Sequence, residues 1–316
     1  MTIQEIYKLA IEQGIKNDFR PKSEIDRMLK KKKEKFDKLP EKKKQLFDKE
    51  DLQNPYSDTR ILWDNNSMAE IKKIVVGIDI GPAEIMLADK LGGIDLVISH
   101  HPNGISLAGL HEVMHLQADI LAQAGIPISA AEGLLRNRID EVNRTISPIN
   151  HNRTVDVARI LNMPLASMHT ITDNMVARYL NSLIQKKKPL FISDLIDILM
   201  DIPEYQEAEK VKAGPRIFSG NLNKHCGKVI IDMTGGTEGS TEIYERLSHA
   251  GVSTIVGMHL SEKHREKANK AHINTVIAGH MSSDSIGMNL FLDQVLKQSK
   301  NKIEIVPLGG FISYRR

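Results

Sequence analysis

The chain has 316 residues, of which 41% are hydrophobic and 26% are charged. These values are ordinary for a globular protein with two domains, or one large domain and an added arm, and they exclude wholesale disorder. The single cysteine, Cys226, excludes an internal disulfide and a cysteine-based zinc site. The N-terminus does not resemble a signal peptide, and no apolar run reaches the roughly 18 residues of a membrane helix. We therefore expect a soluble cytoplasmic protein without a membrane partner.

The N-terminal part is strongly basic. Residues 20–50 carry 13 Lys and Arg against 7 Asp and Glu, a balance of +6 in a chain whose net charge is only +3. An amphipathic helix is predicted over residues 2–13, followed by two helices that are separated at Pro40. The lysines alternate with acids and have no aromatic platform beside them, so a solvated helical arm is favoured over a nucleic-acid patch. We expect this arm to pack on the body or on a neighbouring subunit.

The rest of the chain alternates short apolar runs with helical patterns, which is typical of an α/β fold. Strands are predicted over residues 73–79, 94–99, 126–130, 166–170, 212–218, 228–233, 254–258, 274–278 and 302–307. Helices are predicted over residues 83–91, 107–124, 132–142, 154–161, 175–185, 192–200, 241–250, 262–271 and 284–298. The predicted architecture is two α/β parts with mostly parallel or mixed sheets, plus an N-terminal helical arm. The predicted boundaries are 1–53 for the arm, 54–210 for the first α/β domain and 211–316 for the second part.

Polar side chains that can bind metals follow three apolar segments. His100, His101 and Pro102 follow the strand at 94–99, the sequence HTITD occupies 169–173, and GHMSSD occupies 279–284. Ligands in open α/β sheets collect beyond the carboxyl ends of the strands. Two adjacent histidines that leave a strand before a proline can both turn towards one site and give one nitrogen to each of two divalent ions.

Carboxylates accompany these histidines. Asp173 can supply an oxygen, while His280 and Asp284 are four residues apart and face the same way at the start of a helix. Histidine with a carboxylate is a sound half-site for a first-row transition metal, and a carboxylate can bridge two ions. The three clusters together predict a metal site.

Two further motifs compete with this interpretation. Residues 111–115, HEVMH, match the zincin pattern and lie in a predicted helix, but a zincin needs a third ligand on another scaffold. A metalloprotease is therefore a minor alternative. The Gly-rich loop at 234–240 could cradle a phosphate, yet it lacks the lysine of a P-loop, and a tight turn between strand and helix explains it equally well.

The three histidine motifs resemble the signatures of the Nif-three-like family, which read HHP, HTNLD and GHxxSE in the same order. Residues Trp63, Asp64 and Asn65 also resemble the N-terminal WDN of that family, and the similarity spans about residues 54–316. The resemblance implies that two divalent ions (zinc, iron or manganese) are bound by His100, His101, Asp173, His280 and Asp284. It also implies a ring-shaped homohexamer and homology to a type 2 GTP cyclohydrolase I. Asp284 stands where the family pattern has glutamate, so its carboxylate is one methylene shorter.

Two functions of different classes follow from these observations. The first is a metal-dependent hydrolase that acts on a nucleotide or another small molecule, with Glu112, His111 or His264 as candidate general bases or acids. The second is a non-catalytic oligomer that binds or delivers metal ions and docks a partner. The sequence does not choose between them.

Overall fold

The computed structural model describes residues 1–65 and 68–316, and these contain two β-sheets and the helices that cover them. The strands are β1 (Thr59–Trp63), β2 (Lys73–Gly77), β3 (Leu96–Ser99), β4 (Leu165–Met168), β5 (Arg216–Ser219), β6 (Lys228–Asp232), β7 (Val252–Gly257), β8 (Asn274–Ile277) and β9 (Glu304–Leu308). The helices are α1 (Ile3–Asn17), α2 (Lys22–Asp37), α3 (Glu41–Lys44), α4 (Pro82–Leu91), α5 (Gly104–Ala108), α6 (Leu110–Val113), α7 (Leu116–Ala124), α8 (Ile128–Ile146), α9 (Arg153–Ile160), α10 (Thr170–Lys187), α11 (Ile192–Met200), α12 (Pro203–Lys210), α13 (Ile243–His249), α14 (Glu262–Lys270) and α15 (His280–Gln298).

Both sheets are mostly parallel, which confirms the predicted α/β class. The first sheet has the order β1-β4-β3-β2-β9, and only β1 is antiparallel to its neighbour. The second has the order β5-β8-β7-β6, and only β5 is antiparallel. The last strand, β9, returns to the first sheet and pairs in parallel with β2. The boundary near residue 210 stays a prediction, but the C-terminal strand completes the sheet of the N-terminal half.

The N-terminal helices divide into a core helix and an exposed arm. A capping box between Thr2 and Glu5 starts α1, and the apolar stripe of this helix, which includes Ile6 and Leu9, is buried in the core of the first sheet. Helix α2 is mostly exposed and buries only Ile25, and Pro40 separates it from α3 as predicted. Helix α1 therefore belongs to the body, whereas α2 and α3 form the basic arm.

Two predicted elements are wrong in the segment between the first motifs. Residues 126–130 do not form a strand, because Pro127 lies at the N-cap of the 19-residue helix α8. A short apolar run of this kind fits a buried strand and the start of a buried helix equally well. The helix predicted over 107–124 is three short helices, α5, α6 and α7, with breaks at Gly109 and His115. Strand β1 and helix α12 were not predicted.

Helices α10 and α15 join the two halves of the molecule. Each contributes side chains both to the core beside the first sheet and to the core beside the second. Gly287 lets the two helices approach closely, since a Cβ atom at this position would overlap the carbonyl oxygen of Thr172. Gly279 has a φ of 112° where the chain turns from β8 into α15, a conformation that favours glycine. These two glycines bring the first turns of α10 and α15 to the carboxyl ends of the strands.

Candidate metal centre

The candidate metal-binding side chains meet where the carboxyl ends of three strands converge. His100 and His101 directly follow β3, and His169 directly follows β4. Asp173 lies in the first turn of α10, whereas His280 and Asp284 lie in the first two turns of α15, after β8. The close packing of α10 on α15 therefore places the two carboxylates beside the paired histidines.

Asp284 faces two different sets of ligands through its two oxygens. Its Oδ1 lies 3.3 Å from His100 Nε2, which is also 3.5 Å from Asp173 Oδ1. Its Oδ2 lies 3.4 Å from His101 Nε2 and 3.5 Å from His280 Nε2. Two donors bound at about 2.1 Å to one tetrahedral ion lie about 3.4 Å apart, so both sets have the spacing of ligands around a metal.

Within the part of the chain that the structure describes, three overlapping groups could hold a metal ion. They are His100 with Asp173 and Asp284, His101 with His280 and Asp284, and His100 with His101 and His169. The donor atoms of each group lie within 4.8 Å of one another. The buried His and Asp side chains of this site therefore fit a metal ion.

Unpartnered buried oxygens support this fit. Both oxygens of Asp284 and the Oδ1 of Asp173 are buried and have no hydrogen-bond partner in the described chain. Buried carboxylate oxygens are normally hydrogen-bonded, and a bound cation is the usual substitute. The exposed fraction of the side chain is 0% for Asp284 and 1% for His100, but 26% for His101 and 42% for His280. The site is therefore closed on the side of His100 and open on the side of His280.

A second layer of polar groups orients three of the imidazoles. Asp58, which is fully buried, accepts from His169 Nδ1 at 2.7 Å and from the hydroxyl of Thr170 at 2.6 Å. Asp79 lies 2.6 Å from His101 Nδ1, and the hydroxyl of Thr172 lies 3.0 Å from His100 Nδ1. In each of these three rings Nδ1 makes this contact, which leaves Nε2 available to bind a metal ion. A carboxylate or hydroxyl on the far nitrogen is the arrangement that fixes the tautomer of a metal-binding histidine.

The two acids at the centre differ in pKa. Burial raises the pKa of Asp173 to about 8. Burial alone would also raise the pKa of Asp284, but the adjacent imidazoles of His100 and His101 lower it well below its usual range. Burial lowers the pKa of His100 to about 4, so this ring is neutral at pH 7. A neutral imidazole and an ionised carboxylate are the protonation states that bind metals.

The structure brings together all five residues that the sequence analysis named, His100, His101, Asp173, His280 and Asp284. Their roles as ligands stay a prediction. His169 was not among them, although it begins the HTITD motif and its ring centroid lies 4.9 Å from that of His100. Only the tertiary structure places Asp58 behind it, 111 residues earlier in the chain.

The HEVMH segment lies elsewhere. Glu112 is half-exposed and approaches Lys32 of helix α2 at 4.0 Å. Neither His111 nor His115 belongs to a metal-competent group among residues 1–65 and 68–316. The break at His115 also interrupts the helix that a zincin motif requires.

A pocket leads away from the centre along the second sheet. Its lining includes His169, Asp173, His280 and Asp284 at one end, and the Gly-rich loop with Glu238 further along. The candidate base His264 also lines this pocket, but it is buried and lies 2.9 Å from the hydroxyl of Tyr244. Of the three residues that the sequence offered as acids or bases, His264 alone lines this pocket.

Comparison with solved structures identifies the fold. A NIF3 superfamily protein from Sphaerobacter thermophilus superposes with a TM-score of 0.75 and 22% sequence identity, and the match covers 98% of each chain. The chain therefore has the fold of that protein. Reduced HcgD from Methanocaldococcus jannaschii matches with a TM-score of 0.51 and 18% identity over 84% of this chain and 94% of its own. The sequence matches no family model and no curated protein.

These matches confirm, at the level of the fold, the resemblance that the histidine motifs predicted. The match to the Sphaerobacter protein extends over nearly the whole of both chains, so it includes α2 and the segment between the first two motifs. No helix within residues 1–65 and 68–316 is long and apolar enough to span a bilayer.

Proposed function

We propose that this protein is a Nif-three-like enzyme with two divalent metal ions, and that it hydrolyses a nucleotide or another small molecule. One ion would be held by His100, Asp173 and Asp284, and the other by His101, His280 and Asp284. The observation that carries the proposal is the division of the two Asp284 oxygens between two histidine sets. Bridging by the shorter side chain of aspartate is supported by its two oxygens, which lie 3.3 Å from His100 Nε2 and 3.4 Å from His101 Nε2.

Two divalent ions bound in this way would supply Lewis acidity and a water molecule of lowered pKa. The protein's own residues would orient the metal-binding rings and exclude bulk water. Asp58, Asp79 and Thr172 hold three imidazole rings in place, and the burial of Asp284 keeps bulk water from the shared carboxylate. The open side at His101 and His280 would admit the substrate.

A ring-shaped homohexamer belongs to the same proposal, because the family resemblance implies it. Helix α4, which packs on the first sheet, exposes Met86, Leu87 and Leu91, which a neighbouring subunit could cover. Light scattering on the purified chain would measure the assembly directly.

The test combines elemental analysis with a screen for hydrolysis. Purified protein is expected to hold about two zinc, iron or manganese ions per chain and to turn over at least one member of a panel of nucleotides and small amides or esters. His100→Ala should lower both metal content and turnover. His249→Ala, which removes an exposed histidine of α13, is the matched control and should change neither.

The outcomes separate the two functions that the sequence left open. Metal-loaded protein that is inert across the panel, and that instead hands its ions to a chelating acceptor, would favour the non-catalytic metal-handling assembly. Protein that holds no metal after incubation with zinc, iron and manganese would refute both.

A further inference from the structure

The pocket beside the metal centre has a distal half that the candidate ligands do not use. Its walls are aliphatic, with Ile230, Ile243, Leu247 and Ile255 along the second sheet and helix α13. A small apolar molecule would fit this half, because burying its apolar surface against these walls is favourable. Polar side chains line the pocket as well, including Glu238, His259 and His264, and they determine which chemical groups a bound molecule must carry.

Glu238 is the only carboxylate of the Gly-rich loop, and it lines this pocket. Its Oε1 accepts from the backbone nitrogen of Ser261 at 2.5 Å. Its Oε2 lies at ion-pair distance from His264 Nε2, 3.8 Å, which is too long for a hydrogen bond. Glu238 Oε2 can therefore still accept a hydrogen bond from a bound molecule.

The side chain of Glu238 is negatively charged at neutral pH. Burial would raise its pKa, but His259 and the backbone of Ser261 lower it to about 2, so the carboxylate is ionised at pH 7. Among residues 1–65 and 68–316, the side chains that line the pocket include no lysine and no arginine. Arg138 donates to the backbone carbonyl of Glu238 at 3.0 Å but does not line the pocket, so a phosphate or carboxylate there would meet the charge of Glu238 with no lysine or arginine in contact.

We propose that the pocket selects small uncharged amides, with a metal-binding oxygen at one end and an N–H donor at the other that meets Glu238 Oε2. This inference rests on the proposed metal centre, and within the proposed function it favours amides over nucleotide polyphosphates. The metal ions would bind the oxygen at one end of the amide, and the aliphatic walls would contact its apolar middle part. Glu238 would repel molecules that carry a second anionic group.

The test uses two probes that share a metal-binding hydroxamate and differ only at the far end of a benzene ring. Zinc-loaded full-length protein is titrated with 4-carbamoylbenzohydroxamic acid and with 4-carboxybenzohydroxamic acid by calorimetry. The carbamoyl probe is expected to bind at least tenfold more tightly. Equal concentrations of GTP should not displace it.

Glu238→Gln removes the charge and keeps the shape of the side chain. This variant should bring the two affinities within about threefold, chiefly through tighter binding of the carboxyl probe, while its zinc content stays at the wild-type value. Glu242→Gln makes the same change four residues later, on an exposed side chain that pairs with Lys267 outside the pocket. It should keep the wild-type ratio.

Equal affinities in the wild type, a preference for the carboxyl probe, or displacement by GTP would overturn the inference while leaving the metal centre intact. If Glu238→Gln does not fold, the ratio of the two probe affinities in the wild type and the competition with GTP still test the inference. If the wild type holds no zinc, the proposed metal centre fails instead. Ligand-observed NMR with benzamide and benzoate then tests the pocket alone, and equal binding of these two would refute the selectivity.

Discussion

Replacing Asp284 by asparagine tests the shared carboxylate with a minimal change of shape. The two oxygens of Asp284 face His100 at 3.3 Å, His101 at 3.4 Å and His280 at 3.5 Å. An asparagine offers one neutral oxygen and an NH₂ group that cannot coordinate, so at least one ligand set loses its carboxylate. Loss of an outer-sphere partner typically weakens metal binding by 10–100-fold, and we expect the loss of Asp284 as a proposed direct ligand to weaken it at least 100-fold.

This loss has a measurable effect on the free energy of unfolding. Zinc at 100 times its dissociation constant stabilises a folded protein by about 2.7 kcal/mol. If the affinity falls 100-fold, the same zinc concentration equals the dissociation constant and stabilises by only about 0.4 kcal/mol. The expected loss of metal-dependent stabilisation is therefore about 2.3 kcal/mol.

The assay is denaturant unfolding of wild type and Asp284→Asn, each with and without zinc, so that any intrinsic effect of the substitution cancels. Elemental analysis of the same samples should show metal content falling from about two ions per chain to one or fewer. Asp293→Asn lies further along the same helix and outside the site, and it should keep the wild-type stabilisation. Two ions per chain and undiminished stabilisation in Asp284→Asn would refute the bridging role.

Further predictions concern the helix contact, proton release, the HEVMH segment and the basic arm. Gly287→Ala should destabilise the protein by about 1–3 kcal/mol and lower zinc occupancy, because its methyl group would push α15 away from Thr172; unchanged unfolding and zinc content would contradict this. Because the pKa of Asp173 is raised to about 8, zinc must displace its proton at pH 7, so affinity should rise between pH 6 and pH 8; calorimetry in buffers of different ionisation enthalpy should detect the released proton, and an affinity independent of pH would count against it. Glu112→Gln should keep the wild-type zinc content, and neither form should cleave casein; cleavage that depends on Glu112 would restore the zincin interpretation. Replacing the exposed Lys30, Lys31 and Lys33 by glutamine should change stability by less than about 0.5 kcal/mol and leave zinc content unaltered; tight, salt-sensitive DNA binding lost in this variant would show that the arm binds nucleic acid.

Much of the fold class and the site could be predicted because both depend on local chemistry. An apolar run that ends in His100, His101 and Pro102 specifies a buried strand followed by polar side chains at its carboxyl end. The spacing of His280 and Asp284 specifies one face of a helical turn. The run at 126–130 was misassigned because its apolar pattern fits a strand and a helix alike, and Pro127 decided the outcome by starting α8.

The sequence by itself determined which residue types stand at the ends of which strands, and therefore where a metal centre was to be expected. Only the tertiary structure decided which of these side chains contact one another. It set Asp58 behind His169, divided the oxygens of Asp284 between His100 on one side and the pair of His101 and His280 on the other, and returned β9 to the first sheet. It also placed Glu238 on the same pocket as the centre. These contacts join residues far apart in the chain, and they depend on how α10 and α15 pack between the sheets, which no local periodicity encodes.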